Sequence, residues 1–334
     1  MKNIETTLLI LKRGERICLA MKKRGFGAGR FNGVGGKVKA GETIERAMVR
    51  ETTEEIGVEP TEFERVGEIE LDEIFGGGRA RVRMHVYIAT DFSGEPTESD
   101  EMRPEWFAIG AIPYEKMFPD DRFWLARVLS GEKIKARFKL DKNLKITAHA
   151  IAKVENMDEE ILDVYDEHKK PTGEIVGRNE AHRNGVCHIA VGVYIVNKNK
   201  QILLQKRAAT TRTNAGCWDM SAAGHVNAGE TSADAVVRET REELGLGIKK
   251  GDMFLFSSEP SEKKTDKIWD KQHNERYIAW ANPDVAKIKV DKSEVDCVRW
   301  FDFAEFKDMV QNQSPQLSAK WGAHEALIKY LESR

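Results

Sequence analysis

The chain has 334 residues, 40% hydrophobic and 32% charged, a composition expected of a soluble globular protein with about two domains. A formal net charge of −2 gives no case for a surface that holds a nucleic-acid polymer. The four cysteines (Cys18, Cys187, Cys217, Cys297) form no CxxC pair, which speaks against a zinc ribbon or a disulfide framework.

The first elements are two strand-like runs, "TTLLIL" (6–11) and "ICLAMKKR" (17–24). The N-terminal apolar run is too short for a signal-peptide core, and no stretch nears the ~20 apolar residues that span a bilayer. A cytoplasmic location without membrane contact is therefore expected. A glycine-bearing loop then leads to a helix over 43–57, which lacks proline and internal glycine and has Gly57 where a C-cap belongs. Next come a strand-like run, "RVRMHVYIA" (81–89), and a short helix, "RFWLARVL" (122–129). "KVENMDEE" (153–160) is polar, charged and aperiodic, and marks a boundary between domains at 1–154 and 159–334. Beyond it the order repeats: "IAVGVYIV" (189–196), "ILLQKR" (202–207), another helical stretch, and "ERYIAW" (275–280).

The repeated element is carboxylate-rich. "GKVKAGETIERAMVRETTEEIGV" (36–58) and "GHVNAGETSADAVVRETREELGL" (224–246) are identical at 14 of 23 positions. At 100° per residue, Glu51, Glu54 and Glu55 share the stripe of Ile44, Ala47, Met48 and Val58. Glu239, Glu242 and Glu243 share that of Ala235, Val236 and Leu246. Three carboxylates turned inward are costly unless cations neutralise them, and hard divalent ions, Mg²⁺ or Mn²⁺, suit such oxygen ligands. The alternative is a solvated acidic face with Arg50–Glu54 and Arg238–Glu242 as ordinary i,i+4 pairs. Two copies at identical spacing weigh against it.

These residues resemble the box of the Nudix hydrolases, G-x5-E-x7-R-E-U-x-E-E-x-G-U, where U is bulky and apolar. Gly36, Glu42, Arg50, Glu51, Glu54, Glu55, Gly57 and Val58 fill one copy. Gly224, Glu230, Arg238, Glu239, Glu242, Glu243, Gly245 and Leu246 fill the other. Thr52 and Thr240 depart from U. The resemblance implies an α/β fold of two α/β/α sandwich domains with mixed sheets in tandem. It also implies metal-dependent hydrolysis of a nucleoside diphosphate linked to another group.

The stretches "MKKRGFGAGRFNGVGGKV" (21–38) and "ESDEMRPEWFAIGAIPYEKMFPDDRFW" (98–124) are similar to the MutT-type enzymes that hydrolyse oxidised purine nucleoside triphosphates. That likeness implies base recognition by Asn32, Asp120 and Asp121, stacking on Phe118 where the family usually has Trp, and a pocket lined by Thr7 and Lys22. It adds Glu101 and the Gly35 carbonyl to Glu51, Glu54 and Glu55 as metal ligands. Adjacent aspartates in an apolar frame can be split in pKa so that one stays protonated, which sets a donor beside an acceptor. The plain alternatives are that Asp120–Asp121 caps the following helix and that "KKR" (22–24) is a solvated strand end.

"VYDEHKKPTGEIVGRNEAHRNGVCHIAVGVYIV" (164–196) and "GCWDMSAAGHVNAGE" (216–230) resemble the subfamily of type I isopentenyl-diphosphate isomerase and its hydrolase relatives. His182, His188 and His225 match that isomerase's metal-binding histidines, and Glu275 matches a required glutamate. Ala222 stands in place of its catalytic cysteine, and His273 in place of a metal-binding glutamate. Protonating an alkene needs a strong acid, which alanine lacks, so hydrolysis of an unknown diphosphate is expected through Glu239, Glu242 and Glu243. An isomerase or a non-catalytic ligand-sensing module remains the alternative.

Overall fold

The computed structural model describes residues 2–75, 78–211, 213–266 and 268–333. The chain divides into two compact units, Met1–Ile161 with Glu174–Asn179, and Leu162–Gly173 with Glu180–Arg334. Among the described residues, no helix is long and apolar enough to cross a membrane.

The first unit contains β1 (Lys2–Arg13), β2 (Arg16–Lys22), β3 (Phe31–Asn32), α1 (Ile44–Ile56), β4 (Glu59–Phe75), β5 (Gly78–Ser93), β6 (Met102–Ala108), α2 (Asp121–Leu129), β7 (Lys133–Leu140) and β8 (Ile146–Val154). Its sheet runs β3-β2-β1-β5-β4-β7-β8, with β6 also on β2. β1 lies parallel to β5 and antiparallel to β2, so the sheet is mixed. Alternation along the strands sorts the core into two layers. Leu9, Leu11, Cys18 and Ala20 pack with Met48 and Ile56 of α1. Leu8, Ile10, Ile17 and Leu19 pack with Trp124, Leu125 and Val128 of α2. Each such large side chain, fully buried, stabilises the unit by roughly 1.5–3 kcal/mol. The result is the expected α/β/α sandwich.

A hairpin of β9 (Ile161–Tyr165) and β10 (Pro171–Gly177) and the short helix α3 (Arg178–Asn184) follow. The second unit continues with β11 (His188–Val196), β12 (Ile202–Arg207), β13 (Trp218–Asp219), β14 (Ala222–His225), α4 (Ser232–Leu244), β15 (Met253–Lys264), β16 (Trp269–Trp280), β17 (Val295–Phe301), α5 (Phe303–Gln311) and α6 (Trp321–Glu332). β11, buried along its whole length, lies parallel to β16 and antiparallel to β12 and β14. Val191, Val193 and Leu203 pack with Val236 and Leu244 of α4. Tyr194, Ile202 and Leu204 on the other face pack with Phe306, Leu327 and Leu331 of α5 and α6.

Identical local chemistry sets both repeated helices. Thr43 and Thr231 are N-caps whose hydroxyls accept from the N–H groups of Arg46 and Asp234, each at 3.2 Å. Gly57 and Gly245 close the helices in the left-handed conformation, at φ 72° and 64°, where a side chain would be strained.

Candidate functional site

The loop before α1 and the helix itself are tied by one cation. Arg50 donates to both oxygens of Glu42, to the Lys37 carbonyl, to Glu51 at 2.5 Å and to Glu54 at 3.2 Å. Gly36 lies directly under Glu51: a Cβ there would stand 2.5 Å from the carboxylate carbon. The Gly35 N–H donates to Glu55 Oε2 at 3.1 Å. Glu55 is 6% exposed, and burial pushes its carboxyl up to about 7. The Gly35 N–H and Lys22 oppose that rise, while Glu51 and Glu101 add to it. Glu101, half exposed, pairs with Arg24 and has its carboxyl held down by it.

The expectation that all three acids turn inward needs correction. Glu55 sits at the centre of the buried stripe with Met48 and Ile56, whereas the Glu54 side chain is 57% exposed. Glu51 is four residues from Glu55, roughly 40° around the helix, and Glu54 is one residue away, roughly 100°. The second copy repeats this: Glu239 and Glu243 are buried and Glu242 is exposed. At the U positions, Thr52 and Thr240 are fully buried, their hydroxyls satisfied by the carbonyls of Met48 and Val236.

Asp120 and Asp121 are 4% and 2% exposed. Neither side chain caps α2. Asp120 Oδ2 instead accepts from Trp124 Nε1 at 3.2 Å, and Asp121 Oδ2 accepts from the Phe118 N–H at 3.0 Å. Burial raises both carboxyls, and Asp120 raises Asp121 further. Phe118 stacks against Phe26 with ring centres 5.8 Å apart. Arg30 reaches the same ring at 5.6 Å and donates to the Met117 carbonyl at 2.6 Å. Thr7, 3% exposed, accepts from the Gly36 N–H at 3.5 Å. Asn32 on β3 pairs with Ala20, and its Oδ1 accepts from Gly33 N–H at 2.9 Å.

The second unit repeats the scaffold. Arg238 holds Glu230, Glu239, Glu242 and the His225 carbonyl as Arg50 holds their counterparts. The Ala223 N–H donates to Glu243 at 3.2 Å, and a Cβ on Gly224 would stand 2.1 Å from Glu239 Oε1. Burial drives the Glu243 carboxyl well up, with Glu239 and Glu294 adding to the rise. Backbone bonds fix the correspondence. Lys22 and Lys23 N–H groups donate to Arg30 and Glu101 carbonyls, and those of Arg207 and Ala208 to Cys217 and Glu294 carbonyls. Glu294 thus stands where the first unit has Glu101.

His182, His188 and His225 converge, with ligand atoms within 4.8 Å of one another. Asp270 Oδ1 is buried without a hydrogen-bond partner, 3.8 Å from His182 Nε2 and 4.0 Å from His188 Nε2. Glu275 and His273 do not join them. Glu275 pairs with Lys169 and accepts from Tyr277 at 3.3 Å, while His273 Nε2 lies 3.3 Å from the Asp166 carbonyl.

The NUDIX domain model matches residues 1–128 and 187–320. The chain belongs to the NUDIX domain family. It is a Nudix hydrolase. Among similar proteins, an oxidized purine nucleoside triphosphate hydrolase from Danio rerio is 41% identical over 151 residues, 45% of this chain and 96% of that protein. One from Mus musculus is 40% identical over 150 residues, 45% of this chain and 95% of that protein. An isopentenyl-diphosphate Delta-isomerase 2 from Aromatoleum aromaticum is 29% identical over 171 residues, 49% of this chain and 83% of that protein.

Sequence reasoning missed Glu294, Asp270 and Arg30. Glu294 had a signal: "EMRPEWF" at 101–107 and "EVDCVRWF" at 294–301 each place Trp-Phe shortly after the acid. The second is one residue longer, and β17 absorbs the difference at Asp296, which is skipped where Lys206 pairs with Cys297 and Arg207 with Val295.

Proposed function

We propose that the first unit hydrolyses oxidised purine nucleoside triphosphates, such as 8-oxo-dGTP and 2-hydroxy-dATP, to the monophosphate and pyrophosphate. What supports this is the buried Asp120–Asp121 pair beside Phe118. Each carboxyl commits Oδ2 to a fixed donor, Asp120 to Trp124 Nε1 and Asp121 to the Phe118 N–H. Two adjacent raised carboxyls share protons readily, so one donates and its neighbour accepts. The likeness to relatives whose names state this substrate class adds to it.

The residues fit a divalent cation. Glycine at 36 and 224 leaves Glu51 and Glu239 room that a methyl group would take, and each unit packs buried acids that need a counter-charge. Glu51, Glu54, Glu55, Glu101 and the Gly35 carbonyl would hold Mg²⁺ or Mn²⁺ in one unit, and Glu239, Glu242 and Glu243, with Glu294, in the other. Bound there, the ion supplies charge neutralisation for the diphosphate and acidifies water. Arg50 fixes the rotamers of Glu51 and Glu54. Lys22 offsets negative charge beside Glu55, and a carboxylate of this set takes the proton as water attacks phosphorus and the bridging P–O bond breaks.

The second unit acts on a different diphosphate by the same hydrolysis. Ala222, 1% exposed, has no proton to give an alkene, and Cys217 bonds instead toward the Pro315 carbonyl at 3.6 Å. His182, His188 and His225 with Asp270 fit a second divalent ion, because the buried Asp270 Oδ1 needs a partner. The test of the base assignment is selectivity. Asp121→Asn and Asp120→Asn should erase the preference for 8-oxo-dGTP over dGTP while leaving slow cleavage of both; a preference kept by both variants contradicts it.

A further inference from the structure

The second unit contains a buried cation that its acid-bearing helix does not engage. Arg276 on β16 is 7% exposed, and its Nε is buried without a hydrogen-bond partner. Its guanidinium forms no hydrogen bond or ion pair among the described residues. It stands opposite Gly192 on the face that carries Tyr194 and Met220, while Glu275 and Tyr277 alternate to the α4 face. Gly192 makes the room: a Cβ there would lie 2.6 Å from Met220 Cε and 3.6 Å from Arg276 Cδ. In the first unit, Leu9 pairs with Val34 as Val193 pairs with Ala222. Leu8 and Val86 therefore hold the places of Gly192 and Arg276, and both are plain core at 4% and 0% exposure.

The surrounding charges leave this cation uncompensated. Asp219, fully buried, sits where the first unit has Asn32; each accepts from its own following N–H, at 2.8 and 2.9 Å. Asp219 is already committed to Lys320 Nζ at 2.8 Å and lies 3.9 Å from Arg207. Glu259 is exposed and takes the Ser257 hydroxyl at 2.8 Å. His324, bonded to the Tyr194 hydroxyl at 2.7 Å, has its pKa pushed down to about 4 by burial and stays neutral. Arg276, Lys320 and Arg207 thus share one buried carboxylate, and the first unit has Asn32, Leu8 and Val86 in the places of Asp219, Gly192 and Arg276. A guanidinium whose Nε is buried without a partner, and which has no ion pair among the described residues, is costly to hold there, and an anionic ligand would lower that cost.

We propose that Arg276 is the anion-recognising residue of the second unit, and that this unit's substrate bears a phosphate or carboxylate on the group attached to its diphosphate. The word substrate rests on the hydrolase reading of that unit; the anion site does not. The face is the one opposite Glu239 and Glu243, so the anion recognised is not the diphosphate held at the helix.

The test is calorimetric titration of inorganic phosphate and of malonate into the full chain at constant ionic strength. It compares wild type, Arg276→Met, Arg276→Lys and Glu243→Gln. Wild type and Glu243→Gln should bind one of these anions alike, Arg276→Met should bind it at least roughly tenfold more weakly, and Arg276→Lys should fall between. The tighter anion tells phosphate from carboxylate. Arg276→Met should also melt no lower than wild type in chloride, because it removes an uncompensated charge. Equal affinities across the Arg276 variants, no binding of either anion, or a lower melting temperature with unchanged binding overturns the proposal. Arg276-dependent binding in a unit that cleaves no diphosphate would instead keep the anion site and remove the hydrolase reading.

Discussion

Both carboxylate oxygens of Glu42 accept from the Arg50 guanidinium, at 2.8 and 2.9 Å. The same cation reaches Glu51, Glu54 and the Lys37 carbonyl, so it fixes the loop and the helix acids in one geometry. A lysine keeps the charge but loses the fork. Arg50→Lys should lower kcat of the first unit roughly 10–100-fold, as loss of a ligand-orienting partner does, with KM far less affected. Steady-state kinetics beside a melting curve checks it; a lower melting temperature with unchanged kcat would make Arg50 a purely structural tie.

Gly36→Ala and Gly224→Ala add one methyl where the Glu51 and Glu239 carboxylates lie, at 2.5 and 2.1 Å. Both carboxylates are also held by arginine, so they cannot yield freely. Each variant should fold and weaken divalent-ion binding in its own unit by roughly tenfold or more. Manganese titration followed by electron paramagnetic resonance reads this directly. Unchanged affinity in both would mean that the acids relax away from the methyl.

Much of the fold was legible because its signals are local. The caps Thr43, Gly57, Thr231 and Gly245, the period of each helix and the apolar runs of β1, β2, β11 and β12 all lie in short windows. Glu51 and Glu55 were readable for the same reason. Asp270 was not, since its meaning comes from His182, 88 residues earlier, and from burial that no window shows. The exposure of Glu54 turned on where the buried stripe is centred, which packing against the sheet decides. The roles of Asp120 and Asp121 were ambiguous in sequence because a cap and a buried acceptor pair use the same residues; only the bonds to Trp124 and Phe118 separate them.

Burial lifts the Glu55 carboxyl from 4.5 to about 7 in the metal-free chain. The folded form therefore binds the proton more tightly than the unfolded form does. This contribution is fully present below about pH 4.5 and is lost as pH rises through about 7. Glu243, Asp120 and Asp121 are shifted the same way. With a chelator present, the urea midpoint should fall between pH 5 and 8, and Glu55→Gln should raise the pH 8 midpoint and flatten the trend. The term is on the order of a few kcal/mol. A midpoint lowered by Glu55→Gln at every pH would contradict the assignment to burial.

His188 is fully buried within the cluster of His182, His188 and His225. His188→Asn should abolish high-affinity zinc or cobalt binding to the full chain while leaving turnover by the first unit unchanged. Cobalt absorption spectra follow the site itself, independent of activity. An unaltered cobalt spectrum would show that the cluster is not a metal site.

The central claim is that each unit has its own carboxylate cradle and its own diphosphate. The most direct measurement is pyrophosphate release from 8-oxo-dGTP, 2-hydroxy-dATP and dGTP in Mg²⁺, for wild type, Glu55→Gln and Glu243→Gln. Strong preference for the oxidised purines, abolished by Glu55→Gln and untouched by Glu243→Gln, is the predicted result. Equal cleavage of dGTP, or full activity in Glu55→Gln, would contradict it.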